Sequence, residues 1–287
     1  MGSATAAGKS DRKAREALMP EEIIRVLIWG KTYPELSARY VETVCTAGVR
    51  EDGRPIRLYP VPLRYLDTRK QFALYDWVEA PIVKSTADPR PESFKVVSGK
   101  IRIVGHLDTK KNWKARSAIV FKDPGWQFDC YDALVREESK SKRSMGVVTP
   151  GNIDGVDLVK KSAGAEKEYR KKLDEVQGQQ DLFHPQYKEL EFLPYHIRLR
   201  WRCASTKCSC QSGRAHDHMV LDWGLLELAR RSSWVKARQK LQEISNLKEK
   251  DFRLFIGNFR LHPKAFGIVG LWYPKLQRST AEQPTLF

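Results

Sequence analysis

The sequence predicts an α+β protein, with a β-rich N-terminal module folded as a small barrel or curled sheet. A mixed α/β C-terminal module stapled by a metal site follows it. Three observations carry that expectation. Short runs of β-branched and aromatic residues punctuate residues 21–161, helical and strand-like stretches alternate over residues 192–275, and three of the five cysteines crowd together with two histidines between Cys203 and His218.

In chain order, residues 1–20 read as a disordered basic leader. Strands are predicted at residues 25–29, 40–49 and 55–59, and Arg50-Glu51-Asp52-Gly53-Arg54 is expected to form the hairpin turn between the last two. Residues 77–84 and 95–104 continue the β pattern, broken by Asp88-Pro89-Arg90-Pro91. A helix is expected from near Trp126, and the polar, basic residues 137–143 as a surface loop. Residues 162–191 are charged, with a weak apolar face, and predict a solvated helix or linker. The second module should hold a strand, a cysteine-rich loop, helices over residues 222–229 and 233–247, and strands over residues 252–259 and 266–272, with His262-Pro263 in the turn. Residues 276–287 read as a flexible tail.

Composition narrows the function. The 287 residues carry 51 Lys plus Arg against 35 Asp plus Glu, and the resulting charge of +16 favours polyanionic partners, nucleic acid before membrane. Eight Trp and eleven Phe supply a core, which excludes a basic disordered tail. No run approaches the ~18 apolar residues of a membrane span. The polar start at Met1 lacks a secretory h-region, and the clustered cysteines do not resemble a disulfide framework, so a cytoplasmic location is expected.

Cys203, Cys208, Cys210, His216 and His218 are the candidate metal ligands. Thiolates and an imidazole converging from a short loop suit tetrahedral zinc. A [4Fe-4S] cluster held by three Cys and a His, or completed by Cys45 or Cys130, draws on the same inventory. On a helix only one of the two histidines could ligate; in an extended loop both could. The alternative, three cysteines buried as small hydrophobes, sits poorly with an otherwise polar loop.

Ahead of that loop, His196-Ile197-Arg198-Leu199-Arg200-Trp201-Arg202 alternates strictly. On a strand this sets Arg198, Arg200 and Arg202 on one face, ~6.8 Å apart, near the phosphate repeat of a nucleic-acid strand. The same arginines could instead pair with carboxylates such as Glu189 or Glu191. Further candidate nucleic-acid contacts are Lys236, Arg238 and Lys240 around Trp234, with Arg230 and Arg231 beside them, and Lys110, Lys111, Lys114 and Arg116 around Trp113. No catalytic residue is assigned. His196, His216, Asp217 and Asp222 lack the spacing of a metal phosphohydrolase, and Asp222 reads better as a helix cap ahead of Trp223.

The final residues, Gln283-Pro284-Thr285-Leu286-Phe287, end a polar stretch in two large apolar side chains. They resemble the peptide by which bacterial DNA polymerases and repair factors dock on the sliding clamp, matching at Gln283, Leu286 and Phe287 and departing at Pro284 and Thr285. An internal copy, Gln179-Gln180-Asp181-Leu182-Phe183, matches at Gln179, Leu182 and Phe183, which could equally anchor a loop. The resemblance implies docking on the clamp; with the cysteine cluster and the positive charge it leads to the expectation of a metal-containing DNA-binding protein recruited to the clamp in DNA repair, replication control or defence against foreign DNA. A metal-dependent nuclease with the same tail, or an RNA-binding protein, are the competing classes.

Overall fold

The computed structural model describes residues 21–37, 41–84, 88–96, 100–178 and 188–277. The leader (residues 1–20) and both clamp-like pentapeptides, with Gln179, Leu182, Phe183, Gln283, Leu286 and Phe287, lie outside those described residues.

The N-terminal half is built from β1 (Glu22–Lys31), β2 (Glu35–Ser37), β3 (Val41–Arg50), β4 (Pro55–Val61), β5 (Asp76–Lys84), β6 (Ser93–Val96) and β7 (Arg102–His106). Strands pair in the order β1-β3-β4-β6-β5, and β5 returns to β1, so five strands close a barrel; β2 and β7 extend it at β3 and β5. Within the ring only β4 and β6 run parallel. This is a Greek-key barrel of the OB type.

Strand alternation explains the barrel's interior. Ile24, Val26 and Ile28 of β1, Ile56 and Leu58 of β4, and Val78, Ala80 and Ile82 of β5 all point inward, joined by Leu63, Leu66 and Phe72 from the β4–β5 connection. The expected turn at residues 50–54 is present. Gly53 has φ +88°, and its N–H donates to the Arg50 carbonyl at 2.9 Å.

The other face of the same strands is buried as well. Leu27, Trp29, Ala47 and Val49 pack against a sheet from the C-terminal half, ordered β14-β13-β9-β8 and formed by β8 (Gln127–Phe128), β9 (Met145–Val148), β13 (Arg253–Phe259) and β14 (His262–Trp272). Trp29 stacks on Phe255 and on Trp126, with ring centroids 4.4 and 5.6 Å apart. On β4, buried Arg57 donates from Nη2 to Ser144 Oγ at 3.2 Å.

A third sheet, antiparallel, holds β10 (Pro150–Lys160), β11 (Tyr195–Cys203) and β12 (His216–Met219). Five α-helices are described: α1 (Lys110–Val120), α2 (Tyr131–Ser141), α3 (Ala163–Gly178), α4 (Trp223–Arg231) and α5 (Trp234–Ile244). Asp222 caps α4 by accepting the Leu225 N–H at 2.9 Å, and Ser233 caps α5 by accepting that of Lys236 at 3.1 Å. Ala237, Leu241 and Ile244, spaced at helical intervals, bury one face of α5.

Several expectations need correction. Residues 124–126 form a single 3-10 turn, and the α-helix starts only at Tyr131. That helix continues through Ser141, so residues 137–143 are mostly helix; Leu134 and Glu138, one turn apart, are both buried. The run at residues 95–104 is divided between β6 and β7. Sheets bridge the division expected at residue 161, because β9 pairs with β13 and β10 with β11, while β8 joins the same sheet through β9. Pairing partners a hundred residues away leave no trace in local periodicity. Among the described residues no helix is long and apolar enough to cross a membrane.

Candidate metal centre

Antiparallel pairing of β11 with β12 sets Trp201 opposite His216, which brings Cys203, at the end of β11, close to His216, at the start of β12. The intervening loop folds back so that Cys208 and Cys210 join them. The four ligand atoms of Cys203, Cys208, Cys210 and His216 lie within 4.8 Å of one another, three of the residues buried and His216 partly so. His216 Nε2 stands 3.2 Å from Cys208 Sγ and 3.5 Å from Cys203 Sγ. This cluster can hold a metal ion.

The surroundings are suited to thiolate. Tyr131 N–H donates to Cys203 Sγ, and Cys203 N–H to Cys210 Sγ, each at 3.3 Å. Burial pushes the Cys203 thiol well above its ordinary range, and the Cys208 and Cys210 thiols push the same way. A bound cation reverses that balance by stabilising the ionised form. Burial lowers the His216 imidazole, keeping it in the neutral form that ligates.

The loop is braced from outside. Gln211 Nε2 donates to the Cys203 carbonyl at 2.7 Å, Arg202 Nη1 to the carbonyls of Cys210 and Gly213, and the Ser209 N–H to Asp132 Oδ2 at 2.7 Å. Burial raises the Asp132 carboxyl, but hydrogen bonds from Ser209 and Cys208 outweigh it and hold the group below its usual range. Such contacts orient ligands.

His218 stands outside this cluster. On β12 it shares a face with His216 but lies one ~6.8 Å strand repeat further from the loop. Its Nδ1 accepts the Trp201 indole N–H at 3.1 Å, and burial lowers its imidazole to about 4. Neither alternative fourth cysteine joins the cluster. Cys130 is buried just ahead of α2, and Cys45 Sγ accepts from Arg57 Nη1 at 3.2 Å.

The arginine comb has the expected alternation without the expected free charge. Ile197, Leu199 and Trp201 are buried, while Arg198 pairs with Asp217 at 2.8 Å, Arg200 with Asp157 at 2.6 Å and Arg202 with Asp154 at 3.1 Å. Carboxylates of the adjacent strands interleave with the arginines; Glu191, one of the partners considered, pairs instead with Arg230 at 2.8 Å. On α5, Lys236 and Arg238 are exposed and Lys240 pairs with Glu243 at 3.0 Å.

A different basic surface is assembled around Trp113. Lys111, Asn112 and Trp113 have φ of +48°, +53° and +66°, a strained left-handed turn. Asn112 holds it in place, donating from Nδ2 to the Lys275 carbonyl at 2.8 Å and accepting the Lys275 N–H on Oδ1 at 2.9 Å. Trp113 meets Trp272 and Tyr273 edge-on at 4.9 and 5.0 Å. A cavity of about 540 Å³ opens here, lined by Trp113, Tyr273, Lys250 and Lys275 among others, with no carboxylate in the lining. Lys111, Lys114, Lys250 and Lys275 make no ion pair with any described residue, whereas Lys110 pairs with Asp108 at 3.2 Å. Arg116 turns inward, its guanidinium 3.8 Å from the Tyr75 ring centroid. Sequence reasoning missed Lys250, Lys275 and Tyr273, for which no local motif exists.

Fold and site together define a Greek-key barrel docked on an α/β module that carries a Cys3His cluster able to hold a metal ion. The chain belongs to the family described as Domain of unknown function (DUF8757), which matches residues 127–287; residues 22–122 match a second family, Domain of unknown function (DUF8758). The junction between the two matches falls where β8 leaves the barrel half for the C-terminal sheets. No curated protein matches the chain.

Proposed function

We propose that this protein is a zinc-containing, cytosolic nucleic-acid-binding protein, with DNA as its main partner, recruited to the bacterial sliding clamp for repair, replication control or defence against foreign DNA. The observation that carries this reading is the Trp113 cleft, lined by Lys250, Lys275 and the partly buried rings of Trp113 and Tyr273, with Lys111 and Lys114 beside Trp113 in the chain; none of these four lysines makes an ion pair with a described residue. Lysines neutralise phosphates and rings stack on bases, the combination used for single strands. The net charge of +16 acts in the same direction.

Isolated OB-type barrels take oligonucleotides across their strand 2–3 face. Here that route is restricted, because Ala47, Val49 and Arg57 of β3 and β4 are buried by the protein's own C-terminal half. The barrel's fold is therefore only an analogy for function, and the cleft is the surface to test. Replacing Lys111, Lys250 and Lys275 together with Gln is expected to lower the log–log salt slope of oligonucleotide binding by roughly 2, at ~0.7 per lost single-strand contact. Replacing Arg198, Arg200 and Arg202 with Gln should leave the slope unchanged, since their charge is already matched by Asp217, Asp157 and Asp154. The opposite pattern would return the nucleic-acid contact to the comb, and an unaltered protein that binds no nucleic acid would end the reading.

Zinc is favoured over an iron–sulfur cluster by the spacing of the ligand atoms. Bonds of ~2.0–2.3 Å to one tetrahedral ion set ligand atoms roughly 3.5–3.8 Å apart, and contacts of 3.2 and 3.5 Å fit that scale. A [4Fe-4S] cube assigns each ligand to a different iron and spreads them further. Elemental analysis giving one zinc per chain, on a colourless protein, is the expected result.

Clamp recruitment rests on the peptide Gln283-Pro284-Thr285-Leu286-Phe287. Burial of Leu286 and Phe287, at ~1.5–3 kcal/mol each, supports micromolar docking once ordering is subtracted. Deleting residues 283–287, with Leu182 and Phe183 changed to Ala, is expected to weaken clamp binding at least tenfold in a surface-binding assay while oligonucleotide affinity and metal content hold. Equal binding by the two chains would remove the clamp from the proposal.

A further inference from the structure

A second cavity, about 460 Å³, opens where the barrel meets α4, within the ~300–1,000 Å³ range of small-molecule sites. Lys31 at the end of β1 lines it, together with Tyr33, Gln71 and Phe72 from the barrel half and Trp223 from α4. The Lys31 ammonium carries three N–H donors. One goes to the Phe72 carbonyl at 2.9 Å, and the group stands 5.1 Å from the Trp223 ring centroid and 5.8 Å from that of Phe72. It forms no ion pair with any described residue.

Most of the remaining charges at the cleft are paired, and Glu189 lines it without an ion pair to any described residue. Glu227 pairs with Arg230 at 2.7 Å and Arg231 at 2.5 Å, Glu191 with Arg230 at 2.8 Å, and Arg64 with Glu42 at 2.6 Å. The Tyr33 hydroxyl donates to no described residue. Gln71 spends its Nε2 on the Leu66 and Arg64 carbonyls, at 2.8 and 3.4 Å, while its amide oxygen accepts from no described residue. A cation with spare donors, a hydroxyl, an amide oxygen and an indole ring thus line one open cleft that neither the metal centre nor the Trp113 cleft uses.

We propose that this cleft binds a planar heteroaromatic ring bearing a phosphate, the chemistry of a nucleoside monophosphate. The ring lies against Trp223, and the phosphate takes hydrogen bonds from Lys31 and Tyr33. Ring stacking supplies part of the affinity, and a partly buried ammonium binds phosphate more strongly than one in open water. The ligand can be a free mononucleotide or the phosphate-bearing end of a strand, and the site is independent of the partner of the Trp113 cleft.

The geometry also implies a pH signature. Burial lowers Lys31 to about 8, against the opposing pull of Asp222 and Asp76. Across the cleft, burial holds Tyr33 up at about 12, hydrogen bonds from Arg230 hold Glu227 at about 2, and burial raises Asp222 to about 6. Glu189, Glu191, Arg64, Arg230 and Arg231 also line the cleft, and a phosphate keeps its dianionic charge from pH 7 to 9. Lys31 therefore discharges as pH rises from 7 to 9, and affinity for a phosphate falls by about tenfold.

Isothermal titration of the full-length, metal-loaded protein with AMP, GMP, CMP and UMP, and with the matching nucleosides, tests the proposal. At least one nucleotide is expected to bind, its nucleoside at least tenfold more weakly, and its affinity to fall about tenfold between pH 7 and 9. Lys31→Met should weaken binding at least tenfold and Lys31→Arg much less, with zinc content unchanged in both, while the Lys111, Lys250 and Lys275 substitutions leave it intact. If only a phosphate-terminated oligonucleotide shows the Lys31 dependence, the ligand is a strand end; if the mononucleotide shows it, the ligand is free. Absence of Lys31-dependent binding by either, or affinity flat from pH 7 to 9, overturns the assignment. The pH profile of the unaltered protein decides the matter should Lys31→Met fail to fold.

Discussion

Changing Cys208 to Ser is expected to release the metal and unfold most of the C-terminal half. At a structural site the binding free energy is folding free energy, ~10–16 kcal/mol for zinc in small domains, against a total stability of ~5–15 kcal/mol for a typical domain. Losing the ion therefore removes an amount comparable to the whole margin. The effect should spread beyond the loop because Cys203, Cys208 and Cys210 share one buried cluster with Trp201, Leu199, Phe266 and Leu225. A chelator should act like the substitution, broadening or abolishing the thermal transition followed by circular dichroism. Stoichiometric metal and an unchanged Tm in a chain lacking all three thiols would show that the cysteines merely pack.

Phe255→Ala is expected to cost about 3–5 kcal/mol, the range for deleting a buried aromatic ring. Phe255 is fully buried between Trp29 of the barrel and Trp126, with centroids 4.4 and 5.7 Å away, and Phe121 stacks at 6.3 Å. These rings belong to both halves of the molecule, so the surrounding backbone cannot collapse into the void without separating the two sheets. Urea unfolding should show a large fall in midpoint. Trp29→Phe is a useful contrast, since it keeps a ring in the stack and removes a buried indole N–H that has no described partner; its cost should stay below ~1.5 kcal/mol. If Phe255→Ala cost less than Trp29→Phe, the stack would not be what joins the halves.

How much was legible varied with the range of the interaction. The α4 and α5 helices could be read from their caps, Asp222 and Ser233, and from apolar spacing, all of which lie within a dozen residues. The Cys203, Cys208 and Cys210 grouping was legible for the same reason. Choosing between His216 and His218 was not, because it depends on the register of β12 against β11. The helix α1 has no local signature because its first turn is built on left-handed residues held by contacts with Lys275, Trp272 and Tyr273, distant in the chain.

By itself, the sequence determined an α+β chain with strand alternation in its first half, a thiol-rich loop after an alternating strand, and a strong positive charge. These are properties of composition and of neighbours along the chain. Only the tertiary structure decided that five strands close into a barrel, that residues 127–160 belong with the C-terminal sheets, and that the arginine comb is matched by Asp154, Asp157 and Asp217. It also brought Lys250 and Lys275 to Trp113, and Lys31 to Trp223. Each of those outcomes joins residues far apart in the chain, and such pairings are selected by the packing of the whole core and not by any local preference.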